Sequence, residues 1–147
     1  MNKTQALQYA ALPYRRNDED KLEIMLITSR DTGRWIIPKG WPIPNLGPAD
    51  AAAREAYEEA GLIGRIGDQP IGRYFYDKRL DDGSKVHCAV VVFTLEVEKQ
   101  RKSWPERDER RTRWFIGEEA VVAVDEPELR AIIERLAGSG RFRSSSD

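Results

Sequence analysis

Residues 40–62 read GWPIPNLGPADAAAREAYEEAGL, a Gly/Pro-rich loop running into an alanine- and glutamate-rich segment. Lys39 to Gly47 is too irregular for a helix or a strand. Pro48 suits the first helical position, where its missing N–H is not needed, and Asp50 sets a carboxylate near the positive end of the helix dipole. The expected helix runs from Pro48 to Ala60, and Gly61 is placed to close it in a left-handed cap. Each helical residue advances about 100°, so with Glu55 at zero Glu58 falls near −60° and Glu59 near +40°. Three carboxylates share one stripe. Ala49, Ala53, Ala56 and Ala60 fall at roughly 100° to 160°, small side chains that would let the helix lie close on a sheet. The acids are therefore expected to point away from the packed face.

Like charges gathered on one helix destabilise it by a few tenths of a kcal/mol per pair, a cost that a cation can offset. Magnesium is the natural candidate. It prefers oxygen ligands, is commonly held by one or two carboxylates, and fills its other positions with water and substrate phosphate. From the helix alone a solvated acidic face, with Arg54 paired to Glu58 four residues on, is the competing reading.

Outward from the helix, Gln5 to Tyr14 reads as an edge strand followed by a turn from Arg15 to Asp20. Leu22 to Ser29 reads as a buried strand, and Arg34 to Pro38 as a short one after the Asp31-Thr32-Gly33 turn. Ile66 to Tyr76 and Lys85 to Val97 are expected to be long strands forming a hairpin around Asp81-Asp82-Gly83. A charged loop, a short strand from Thr112 to Ile116 and a helix from Glu126 to Ala137, with Leu129, Ile132, Ile133 and Leu136 on one face, complete the domain. Gly138 to Asp147 is glycine- and serine-rich and is expected to be a mobile tail. The expected fold is α+β, a mixed sheet flanked by helices in an α/β/α sandwich, one domain over residues 1–137.

Composition narrows the partners. The chain has 147 residues, 40% hydrophobic and 33% charged, the balance of a globular domain. No apolar run approaches the roughly 20 residues of a membrane span, and Met1 to Tyr9 lacks the apolar core of a signal peptide, so the expected compartment is the cytoplasm. The single cysteine, Cys88, lies in an apolar run and is expected to be buried. A formal net charge of −1 does not recommend nucleic acid or an anionic membrane. Locally, Lys99 to Arg113 holds seven basic residues against three acidic ones. That segment could grip a polyanion bridged by a cation to the acidic helix. No feature of the sequence sets an oligomeric state.

Gly40 precedes Arg54 by fourteen positions, and Arg54-Glu55-Ala56-Tyr57-Glu58-Glu59-Ala60-Gly61-Leu62 follows without a break. This resembles the signature of the Nudix hydrolases: a glycine, five residues, a glutamate, seven residues, then Arg-Glu-aliphatic-any-Glu-Glu-any-Gly-aliphatic. One departure is plain, since the first glutamate falls at Leu46. That glutamate is expected to tie down the loop or add to the metal environment, and Asp50, one turn into the helix, could compensate. Ala56 is small for the aliphatic position.

The resemblance implies a magnesium-dependent, or manganese-dependent, hydrolase that cuts a phosphoanhydride bond in a diphosphate linked to another moiety. Glu55 and Glu59 are then the metal ligands, with the backbone carbonyl of Lys39 or Gly40 a further one. Glu58 becomes the base that activates water, and Arg54 orients the glutamates by ion pairing. Phosphoryl transfer asks little else than position and positive charge. Arg30, Arg34 and Lys39 could hold phosphate oxygens or be ordinary surface charge. The run from Ser29 to Gly40 and the strand Arg111-Thr112-Arg113-Trp114-Phe115 look like the subgroup acting on diphosphoinositol and dinucleoside polyphosphates. Alternatives are an ADP-ribose or RNA 5′-end pyrophosphohydrolase, the one case with a nucleic-acid partner, and a catalytically silent nucleotide-binding module. Trp41 is the better candidate for base stacking, Trp35 and Trp114 being sheet residues by this reading. His87 is a strand residue without a catalytic part, and Glu106, Asp108 or Glu109 could supply a further ligand or base.

Overall fold

Helix α1 forms where its punctuation places it, at Pro48–Ala60. Gly61 follows at φ 69°, its amide bonded to the carbonyls of Ala56 and Tyr57, which only a left-handed residue permits without strain. The computed structural model describes the backbone of residues 5–146 and the side chains of residues 5–138. Its strands are β1 (Gln5–Arg16), β2 (Leu22–Thr28), β3 (Trp35–Ile36), β4 (Lys39–Gly40), β5 (Leu62–Ile66), β6 (Gly72–Arg79), β7 (Lys85–Gln100) and β8 (Thr112–Ile116). Two further helices follow, α2 (Gly117–Ala123) and α3 (Pro127–Ser146). No described helix is long and apolar enough to cross a membrane.

All eight strands join one mixed sheet, with the path β3-β2-β1-β7-β5 and with β4 on β1, β6 on β7 and β8 on β2. Its two faces are built by alternation, since successive side chains on a strand point to opposite sides. Leu12, Ile24, Leu26, Val90 and Val92 pack beneath α2 and α3 with Leu129, Ile132, Ile133 and Leu136. Ala11, Met25, Ile27, Phe93 and Leu95 pack beneath α1 with Ala52, Ala56 and Ala60. The fold is therefore α+β, a sheet between helical layers, as the sequence predicts.

The expected edge strand is corrected. β1 lies in the interior of the sheet, parallel to β7 from Gln5 opposite His87 to Tyr14 opposite Glu96, and it also receives β2 and β4. The continuous buried run Ala10-Ala11-Leu12 is the imprint of cover on both faces. The expected strand from Ile66 to Tyr76 is likewise two strands, β5 and β6, parted at Gly67 to Ile71. Both pair with β7, whose 16 residues are long enough to take one after the other. β6 and β7 do form a hairpin, turned at Gly83 with φ 88°. Lys39 and Gly40, read as loop, make a two-residue strand on Tyr9 and Ala10 of β1. α3 continues past Ala137 through the segment read as a tail, and the side chains there lie outside the described residues.

Candidate active site

The centre of the site is set by what α1 buries. Ala51, Ala52, Ala56, Glu59 and Ala60 are its buried residues, an arc from roughly −40° to +140° with Glu55 at zero. Glu59 lies near the middle of that arc and is 5% exposed, so the expectation that all three acids face away from the packed side is corrected. Glu55 sits at the edge of the arc. Glu58 falls outside it, with its side chain 38% exposed and 4.0 Å from Arg54 Nη1.

Glu55 and Glu59 open into a cavity of about 670 Å³, also lined by Arg30, Lys39, Gly40, Trp41, Tyr76, Glu106 and Arg110. Gly40 leaves room for the acid, because a Cβ at that position would meet the Glu55 carboxyl at 2.4 to 2.7 Å and the carboxyl would have to move. The backbone of β4 is thus pressed against the acid, and β4 owes its place to pairing with the interior strand β1. The Lys39 amide donates to Glu59 Oε1 at 3.3 Å. Burial pushes the Glu59 carboxyl up to about 8, against the opposing pull of Arg110. Burial likewise raises Glu55. Burial brings Lys39 down to about 8, against the attraction of Glu59.

Arg110 is the site residue that sequence reasoning left undistinguished among seven basic neighbours. Its side chain is 8% exposed, its Nε donates to Glu106 at 2.8 Å, and its Nη2 lies 3.7 Å from Glu59. Its Nη1 donates to the Thr28 carbonyl at 3.1 Å. The signal available was spacing: Glu106 and Arg110 stand four apart in a loop rich in charge. That loop is fastened to the end of α1, where the Glu106 amide donates to the Glu58 carbonyl and the Arg101 amide to the Gly61 carbonyl. The Trp104 ring covers Gly61 so closely that a Cβ there would meet it at 2.2 Å.

The remaining candidates scatter. Arg30 lines the cavity while paired to Glu109 at 2.8 Å. Arg34 does not line it; the guanidinium is held by Asp125 and Glu126 at 3.2 and 3.1 Å. Arg54 and Asp50 face a separate hollow with Leu46 and Tyr57, which puts Asp50 beside the position of the missing glutamate and away from the cavity of Glu55 and Glu59. Of the seven basic residues from Lys99 to Arg113, Arg110 lines the cavity, while Arg111 and Arg113 lie over Trp35 and Phe115. His87 is a strand residue bound to Asp77. Cys88 is buried.

The donors suit magnesium. Among the described residues no group of three or more His, Cys, Asp or Glu forms a ready cage. A magnesium site does not need one, since two carboxylates with water and substrate oxygens suffice. Two buried or half-buried carboxyls beside each other, both raised by desolvation, are the groups a divalent ion would relieve.

The sequence profile of the NUDIX domain matches residues 6–136. This chain belongs to the Nudix family. Nudix relatives include the Arabidopsis thaliana "Nudix hydrolase 13, mitochondrial", 32% identical over 111 residues that cover 70% of this chain and 54% of that one. The Homo sapiens "Diphosphoinositol polyphosphate phosphohydrolase 3-alpha" is 32% identical over 114 residues, 76% of this chain and 65% of that one. The chain spans about half the length of the first of these Nudix relatives. Among solved structures, a Caenorhabditis elegans Ap4A hydrolase complex superposes with a TM-score of 0.66 at 20% identity, covering 90% of this chain and 96% of that one. The NUDIX domain of Shewanella oneidensis NrtR, complexed with ADP ribose, gives 0.67 at 17% identity, covering 92% and 90%. These two likenesses establish the Nudix fold.

Proposed function

We propose that this chain is a magnesium-dependent hydrolase that cleaves a phosphoanhydride bond in a diphosphate linked to another moiety, with diadenosine or diphosphoinositol polyphosphates the favoured substrates. The observation that carries the reading is the pairing of Glu55 and Glu59, one helical turn apart, against a glycine strand in a cavity that also holds Lys39 and Arg110. Glu55 and Glu59, with the Gly40 backbone beside them, would hold the ion, which when bound supplies positive charge against the diphosphate and acidifies a bound water. Arg110 and Lys39 bring cationic groups to the same end of the cavity, where they attract phosphate oxygens and hold them in place. Arg30 adds a third cation once its exposed pair with Glu109 opens.

Glu58 is the base on the strength of the family pattern, its carboxylate taking the proton of the attacking water. Glu106 is the second reading for that role, favoured by its place in the cavity lining, which Glu58 does not share. The relatives' names support the substrate class: one acts on diphosphoinositol polyphosphate and one is an Ap4A hydrolase. Trp41, 43% exposed in the cavity wall, offers a flat apolar face for a base.

The test is a chromatographic screen for cleavage products, with and without magnesium, over diadenosine polyphosphates, diphosphoinositol polyphosphates, ADP-ribose and RNA with a 5′-polyphosphate end. Magnesium-dependent turnover of one of the first two is expected. Absence of turnover on every substrate would leave a silent binding module. In an active protein Glu58→Gln is expected to lower kcat by orders of magnitude, and an unchanged rate with loss in Glu106→Gln would move the base to the loop.

A further inference from the structure

β6 is an edge that the fold leaves open. It pairs with β7 along Gly72 to Arg79, and among the described residues no strand pairs with its other side. Half of its backbone N–H and C=O groups therefore point outward, where another strand can meet them. The pleat puts Arg73, Phe75 and Asp77 on the face of the sheet that carries α1. The cover of α1 thins out there: Leu7 is 40% exposed and Phe75 is half-buried. Leu7 lies opposite Ala89, and Ala89 opposite Phe75, one apolar row across three strands. The row stops at the open edge, with the Phe75 ring stacked on His87 at 5.6 Å between centroids.

The charges flanking that row choose the occupant. Charged side chains on an edge strand commonly turn other strands away. Those of β6 are instead ordered to match a copy of themselves. Pairing two β6 strands antiparallel keeps opposed side chains on one face, so the possible registers differ by two residues. Centred on Phe75, the pairing sets Arg73 of each copy opposite Asp77 of the other, and the apolar row runs on through Phe75 and Ala89 to Leu7 of the second chain. Centred on Tyr76 it sets Arg73 against Arg79, and centred on Asp77 it sets two carboxylates against each other. Centred on Tyr74 it leaves Arg73 facing Phe75. Opposite charges facing across strands stabilise a pair and like charges destabilise it, so the register on Phe75 is favoured. Arg73 and Asp77 are both exposed, and His87 steadies Asp77 at 2.9 Å.

We propose that a second copy of this chain docks on the outer edge of β6, antiparallel and centred on Phe75, joining two sheets into one through Arg73–Asp77 pairs on either side of a shared apolar row. The contact is isologous, so one substitution changes two pairs. Sedimentation of the full chain at ~100 μM is expected to give twice the 16.8 kDa of one chain, and a monomer at that concentration overturns the proposal. Arg73→Asp is expected to weaken self-association at least tenfold. Arg73→Asp/Asp77→Arg should bring it back to within about threefold of wild type, since the exchanged charges again face their opposites. No loss in the single variant, or an equal loss in a double variant whose circular dichroism matches wild type, means that the two copies do not meet there. Phe75→Cys reads the register itself. Position 75 faces its own copy at a separation that a disulfide can span, whereas position 79 lies eight residues of strand from its copy, about 26 Å at ~3.3 Å per residue. Under mild oxidation Phe75→Cys is expected to form a covalent dimer and Arg79→Cys to stay single. Equal cross-linking at the two positions, or none at position 75, overturns the pairing.

Discussion

Glu59 is a carboxylate buried among alanines, and its cost is met only in part by Arg110, which is shared with Glu106. Burial without full pairing disfavours the charged form, so the metal-free protein carries a local penalty that a divalent ion removes. Glu59→Gln is therefore expected to leave the thermal midpoint of the metal-free protein at or above that of wild type. The same change should abolish the rise in midpoint that magnesium gives wild type through mass action. A calorimetric scan with and without magnesium checks both, and a retained magnesium shift would remove Glu59 from the ligand set. Gly40→Ala should cut turnover at least tenfold, because its Cβ and the Glu55 carboxyl claim the same space. Steady-state kinetics decide that. At this scale the glutamate spacing was legible in the sequence, since a helix needs only arithmetic to gather residues 55, 58 and 59. Which of them faces inward was not legible. The alanines suggested a packed stripe from 100° to 160°, whereas the sheet meets the helix some 70° to 90° from there, a choice made by tertiary packing.

Helix α1 was readable from end to end because its limits are written in local chemistry, a proline at the first turn and a glycine that must be left-handed. Gly61→Ala tests that grammar. The backbone conformation alone costs about 1–2 kcal/mol for a residue with a Cβ, and Trp104 leaves no room for the new atom. The midpoint is expected to fall by several degrees, and a fall of less than one degree would show that the loop of Trp104 yields freely. Strand elements were read less well, for reasons of partner and length. β1 reads as an edge because its parallel partner β7 lies some eighty residues away, and periodicity carries no information about partners. The break between β5 and β6 was present as Asp68-Gln69-Pro70, a run of turn residues. Apolar and aromatic residues on either side, Ile66 and Tyr74, masked it. α2 has seven residues and no side-chain cap, too little for a periodic signal.

Across the whole molecule the sheet sets Glu55 and Glu59 with α1 on one face and the larger apolar cluster on the other, and Tyr76 links that cluster to the cavity wall. α1 and the cavity acids stand on one side, while α3 covers the other with Leu129, Ile132, Ile133 and Leu136. Ile132→Ala should lower stability by about 2–5 kcal/mol, the usual range for emptying a core site. kcat at a temperature well below the midpoint is expected to stay within about twofold. Denaturant titration and kinetics on the same sample check the pair, and a parallel loss of kcat would show that the layers are coupled. The parallel pairing of β1 with β7 also has a bearing on how the chain is made. While it emerges from the ribosome, Gln5 to Tyr14 waits for a neighbour that is translated only after residue 85. A nascent polypeptide paused before that point presents an open, apolar flank to whatever strand diffuses by, and chaperone capture would be needed most in that interval.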